Sequence, residues 1–111
     1  MNLNYSQIIA KASDTETNDA LNKIRQIQAI EAYYHDSFFW TPKPKTGDRS
    51  NRTRDETISF KLGDDYFSYR YQYKETFRNC YFSKQIAHNG VRITMRTINM
   101  LALQIKKEME K

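Results

Sequence analysis

The sequence predicts an α+β fold: an amino-terminal helix, an antiparallel meander of two or three strands, and a carboxy-terminal amphipathic helix packed on the sheet. Three observations carry this expectation. Apolar residues recur at helical intervals from Leu21 to Tyr34, alternate with polar residues from Thr57 onward, and return to helical spacing after Asn89-Gly90. With 111 residues the chain has the size of one ordinary domain, so one core is expected rather than two. Its 39% hydrophobic and 28% charged residues exclude wholesale disorder.

Each element has a local reason. Tyr5, Ile8, Ile9 and Ala12 share one face of a short helix over residues 4–12. Ser13-Asp14-Thr15-Glu16 then has the spacing of a capping box, in which the Ser hydroxyl and the Glu carboxylate satisfy each other's backbone amides. Asp14, Glu16 and Asp19 place negative charge where a helix amino terminus favours it. Leu21, Ile24, Ile27, Ile30 and Tyr34 continue the pattern, which predicts a helix from Asp14 to Asp36. Tyr33, Tyr34, Phe38, Phe39 and Trp40 crowd its end, where aromatic residues most often close a small core. Pro42 and Pro44 stop the helix.

From Lys43 to Arg54 the chain has five bases, one acid and no apolar residue, and a segment of that kind cannot bury itself. Residues 41–56 are therefore expected to form a basic exposed loop between a helical part, 1–40, and a sheet-plus-helix part, 57–111. Ile58, Phe60 and Leu62 alternate with Thr57, Ser59 and Lys61, and Gly63-Asp64-Asp65 signals a hairpin. The next strand sets Phe67, Tyr69, Tyr71 and Tyr73 against Tyr66, Ser68, Arg70, Gln72 and Lys74. A weak turn at Lys74-Glu75-Thr76 leads to a third strand over residues 77–86. Val91, Met95, Ile98, Ala102, Ile105 and Met109 then make the cleanest stripe in the chain, predicting one helix over residues 91–110. That stripe is expected to pack on the sheet; the same stripe could instead serve a homodimer.

Composition narrows the function. No run of about 18 apolar residues exists, so no membrane helix is expected. The first six residues lack the pattern of a secretory signal, and one Cys forms no internal disulfide, so a cytoplasmic compartment is expected. Residues 1–40 carry three bases and five acids, a net of −2, whereas residues 41–111 carry 15 bases and 8 acids, a net of +7. Such asymmetry points to a polyanionic partner for the carboxy-terminal two-thirds. Catalysis is not expected. His35, His88 and Cys80 lack metal-ligand spacing, and the three glycines stand alone, so neither a zinc site nor a phosphate loop is present and no cofactor is expected. Asp64, Asp65 and Glu75 bracket a strand beside Lys74 as nuclease acids might, but turn acids are far more often solvated.

The expected function is nucleic-acid binding, with DNA as the favoured partner. Duplex DNA presents a ladder of phosphates, which needs spaced cations for affinity and a smaller set of donors for readout. Arg70, Gln72 and Lys74, joined by Arg78 and Lys84 from the third strand, could form a basic sheet face that enters a major groove. A second surface is the helix face of Arg92, Arg96, Asn99 and Lys106, whose bland reading is a solvated helix back. Lys43, Lys45, Arg49, Arg52 and Arg54 would add phosphate contacts from the loop. The order of elements over residues 57–110, with Tyr81-Phe82-Ser83-Lys84 ending the basic strand, resembles the three-stranded-sheet-plus-helix DNA-binding domains of ethylene-response-factor proteins and of tyrosine-recombinase arm-site domains. The resemblance implies groove reading by the sheet through Arg70, Gln72, Arg78 and Lys84. Lys74-Glu75-Thr76 and Val91-Arg92-Ile93 depart from the usual turn and helix start of those families. The alternative is an inhibitor or adaptor of the kind found among phage and mobile-element products. It would act on a host protein complex, or on an anionic nucleotide, through tyrosines and arginines suited to interface hot spots.

Overall fold

A computed structural model describes residues 4–40, 52–75 and 80–110, and shows the α+β architecture. Helix α1 spans Tyr5–Ala10 and α2 spans Asp14–Trp40. Four strands follow, β1 (Arg52–Leu62), β2 (Asp65–Glu75), β3 (Cys80–His88) and β4 (Val91–Arg92), and helix α3 (Met95–Met109) completes the chain. The strands form one sheet in the order β1-β2-β3-β4, with every neighbouring pair antiparallel.

Helix α2 starts where the capping box places it. The Glu16 amide donates to Ser13 Oγ at 3.1 Å, and the Ser13 amide donates to Glu16 Oε1 at 3.1 Å. The helix runs four residues past the expected Asp36 end. The second correction concerns β1, which begins at Arg52, so residues 52–56 belong to a strand and not to the basic loop. Their polarity concealed them: a strand that is solvated on one face and lies at the end of a sheet needs few apolar residues. The third is the end of the sheet. Asn89 (φ 50°) and Gly90 (φ 82°) are both left-handed, as a two-residue hairpin turn requires, and they return the chain into β4. Helix α3 therefore starts at Met95 and not at Val91, with Thr94 as its N-cap.

One face of the sheet carries the core. Phe60 and Leu62 from β1, Phe67, Tyr69, Tyr71 and Tyr73 from β2, and Ile86 from β3 lie buried with Ile24, Ile27 and Tyr34 of α2 and Ile98, Leu101 and Ile105 of α3. The Tyr34 ring sits 4.5 Å from Tyr73 and stacks at 5.6 Å on Phe82. Gln28 of α2 donates to Asn99 of α3 at 3.0 Å, joining the two helices at their solvent edge.

Two carboxylates accept hydroxyl protons on this face. Tyr69 donates its hydroxyl to Glu31 of α2 and Tyr71 donates to Glu56 of β1, both at 2.6 Å. Burial, together with the adjoining carboxylate, pushes both phenols well above their ordinary value of 10.0. The sign for stability follows. Above pH 10 the unfolded chain releases protons that folded Tyr69 and Tyr71 retain, so the unfolded state gains as pH rises. Stability is full below pH 10 and is expected to fall above it by about 1.4 kcal/mol per pH unit for each phenol that stays protonated. Urea midpoints measured across the alkaline range check this, and Tyr69→Phe should flatten the decline.

Candidate nucleic-acid interface

The opposite face of the sheet is free of helices among the described residues. Register places Asp55, Thr57, Ser59 and Lys61 of β1 beside Gln72, Arg70, Ser68 and Tyr66 of β2. It places Lys74, Gln72 and Arg70 beside Tyr81, Ser83 and Gln85 of β3, and Ala87 beside Arg92 of β4. Lys61, Arg70, Lys74 and Arg92 are all exposed there, with Asp55 as the described acid among them. Tyr66 and Tyr81 expose 47% and 54% of their surface, so aromatic rings stand at either end of β2's outer row. No described element covers this face.

At its centre the side chains are ordered by one another. Arg70 clasps Asp55 through two parallel hydrogen bonds, Nε to Oδ1 at 3.1 Å and Nη2 to Oδ2 at 3.0 Å. Gln72 adds a third bond to Asp55 Oδ2 at 3.1 Å. The hydrogen bond from Arg70, then that from Gln72, holds the Asp55 carboxyl below its ordinary range, and the same pairing raises Arg70. This pair is solvent-exposed and contributes little to stability. Its effect is orientation: the guanidinium lies fixed, with the Nη1 edge of its fork unspent. Beside it, Arg70, Gln72, Ser83, Gln85 and Arg92 line a hollow of about 190 Å³.

The sheet brings together some of the residues expected from the sequence and separates others. Arg70, Gln72 and Lys74 point outward as expected. Lys84 does not join them. Register sets it opposite Tyr71, on the helix-covered face, where its ammonium pairs with Glu31. The reason is parity. Glu75 pairs with Cys80, so even positions of β3 share a face with odd positions of β2. A shorter connection would have turned every β3 side chain over. Arg54 likewise shares its face with Tyr73 and pairs with Glu56 at 3.4 Å. Arg92 leaves the proposed helix face and becomes a residue of the sheet, while Arg96, Asn99 and Lys106 remain on α3 in the other layer. Arg52 lies in β1; Lys43, Lys45, Arg49 and Arg78 lie outside the described residues. Asp55, Ser83 and Gln85 were missed as site residues. The alternation of β1, extended back through Arg54-Asp55-Glu56, would have shown Asp55.

Of the acids that bracket β2, Asp65 has a structural use. Asp65 Oδ1 lies 2.7 Å from His88 Nε2 and accepts from Asn89 Nδ2 at 3.0 Å, tying two turns together. Among the described residues no three His, Cys, Asp or Glu side chains are grouped to hold a metal ion, and no helix is long and apolar enough to cross a membrane. The fold and face define an open antiparallel sheet layered on one side by helices. No family model, curated protein or solved structure matches the chain.

Proposed function

We propose that the protein binds nucleic acid, with duplex DNA as the partner, through the open face of its sheet. The observation that supports this reading is the segregation of charge and cover. Both long helices lie on one face, while Lys61, Arg70, Lys74 and Arg92 stand on the other against the lone described acid Asp55. Cations spread over a polar surface suit a repeating polyanion better than a small ligand. On this reading the sheet lies across the phosphates. Three strand spacings of about 4.8 Å put β1 and β4 about 14 Å apart, wider than a major groove of about 12 Å. A single-purpose binding protein without catalysis is the class this describes.

The test is fluorescence anisotropy with a labelled duplex of about 20 base pairs at graded salt. Retention at micromolar protein in about 0.15 M salt is expected, with a log–log salt slope of up to about 3.6 from the four cations. Lys74→Glu should weaken all duplexes. Absence of binding at that salt would reject the reading. A second reading, an inhibitor or adaptor for a protein complex, is favoured by the exposed Met100 and Leu103 on α3. It predicts no duplex retention and a nuclease-resistant protein complex.

A further inference from the structure

The hollow between β2, β3 and β4 has a chemistry more specific than the face around it. We infer that it is a seat for one phosphate group, filled by a backbone phosphate of the bound nucleic acid, and that Arg70 holds this phosphate and does not read a base. The inference rests on the proposed function for the source of the phosphate, but the hollow's own geometry carries the ligand class.

Three features point to a tetrahedral oxyanion. The first is composition: Arg70, Gln72, Ser83, Gln85 and Arg92 all bring hydrogen-bond donors, and no carboxylate lines the hollow. Lys84 also borders it, but its ammonium is bound to Glu31. The second is preorganisation. Asp55 fixes Arg70 from behind and holds Gln72 as well, so the cation is oriented before any ligand arrives. The free edge of its fork matches two oxygens of a phosphate. The third is shape. Arg70 stands beside Gln85, and Ala87, the next residue of β3 on this face, stands beside Arg92. Across β3, Arg70 and Arg92 face a common space of about 190 Å³. A base edge is planar and recessed in a groove, so a convex side chain reads it; a donor-lined concavity receives a group that protrudes. On the duplex, what protrudes is phosphate.

The roles then divide. Arg70 and Arg92 supply charge, Gln85 and Ser83 supply neutral donors, and Asp55 is a positioning residue that never touches the ligand. Sequence preference, if the protein has any, must come from elsewhere on the face.

The experiment uses the full chain and two probes. Inorganic phosphate is titrated into isotope-labelled protein while the side-chain N–H resonances of arginine and glutamine are followed. In parallel, labelled duplexes of unrelated sequence are titrated by anisotropy at graded salt. Phosphate is expected to shift Arg70, Gln72, Gln85 and Arg92 before other groups. Arg92→Gln should weaken both probes about fivefold to tenfold and lower the duplex salt slope by about 0.9, equally for every sequence. Lys107→Gln, on α3, should change neither. The inference fails if phosphate shifts scatter away from the hollow, if Arg92→Gln leaves both probes unchanged, or if Arg70→Ala relaxes a sequence preference without weakening all duplexes. Phosphate bound in the hollow without duplex retention would uphold the seat and reject nucleic acid as its source, leaving a small phosphate-bearing molecule. Duplex retention with an unaffected hollow would do the reverse.

Discussion

Ile98→Ala is expected to destabilise the protein by about 2–5 kcal/mol, out of a total of about 5–15 kcal/mol for a domain of this kind. Ile98 is 1% exposed, in the first half of α3, and Leu101, Ala102 and Ile105 are buried with it. Truncation removes three carbons from a close-packed interior, and the cost combines lost transfer energy with the cavity left behind. Collapse around the gap is hindered because α3 is bounded by α1 and α2 and faces a sheet of aromatic side chains that move only as whole rings. Urea denaturation measures the effect as a lowered midpoint with an unchanged slope. A midpoint within error of the parent protein would mean that the stripe is not part of the core. The neighbouring Leu103, 55% exposed, is the built-in comparison, and Leu103→Ala should cost little.

What could be read from the sequence followed from short-range rules. The capping box at Ser13 and Glu16 needs only four consecutive residues, and it formed with both of its bonds. The period-two stretch from Thr57 placed Phe60 and Leu62 inside and left Arg70, Gln72 and Lys74 outside, because strand parity depends only on the chain itself. What went astray depended on partners. Leu101 is fully buried but lay off the single row Met95-Ile98-Ala102-Ile105, since a helix seated between two others buries a wider stripe. Met109, at 50% exposure, extends that row without entering the core, whereas Val91, at 51%, lies in β4 and not on the helix. Lys84 faces the helices because a strand's face relative to its neighbour is set by the connection before it, and Lys74-Glu75-Thr76 carries no strong turn signal from which that connection could be read. Asn89-Gly90 did carry such a signal. The dipeptide is the strongest short-range mark of a hairpin, and the helical spacing that begins at Val91 masks it. The consequence reached the site, for Arg92 lies two residues beyond that turn and lines the hollow with Arg70. Asp55 was hidden by charge: in a run rich in bases it looked like part of a loop, whereas its role is to hold Arg70 in place.

The two turn glycines offer a paired measurement of how the sheet is fastened to the helices. Gly63→Ala is expected to cost about 2–5 kcal/mol, while Gly90→Ala costs about 1–2 kcal/mol. Both residues are left-handed, at φ +62° and +82°, so both substitutions carry the strain of a Cβ in that region. Only Gly63 is also crowded. A Cβ there would lie 2.8 Å from Lys11 Cβ and 2.9 Å from the Lys11 carbonyl oxygen, whereas one at Gly90 meets nothing within 4 Å. A long side chain could swing aside, but the Lys11 backbone is the C-cap of α1 and leads directly into the capping box of α2. The Gly63 amide also donates to Glu16 Oε1 at 3.3 Å, so the β1–β2 turn shares the carboxylate that caps α2. Pushing the turn away from Lys11 therefore weakens that bond as well as opening the packing beneath it. Thermal or urea unfolding of the two variants side by side isolates the crowding, since the backbone strain is common to both. Equal losses at the two positions would show that the β1–β2 turn does not rest on the α1–α2 junction.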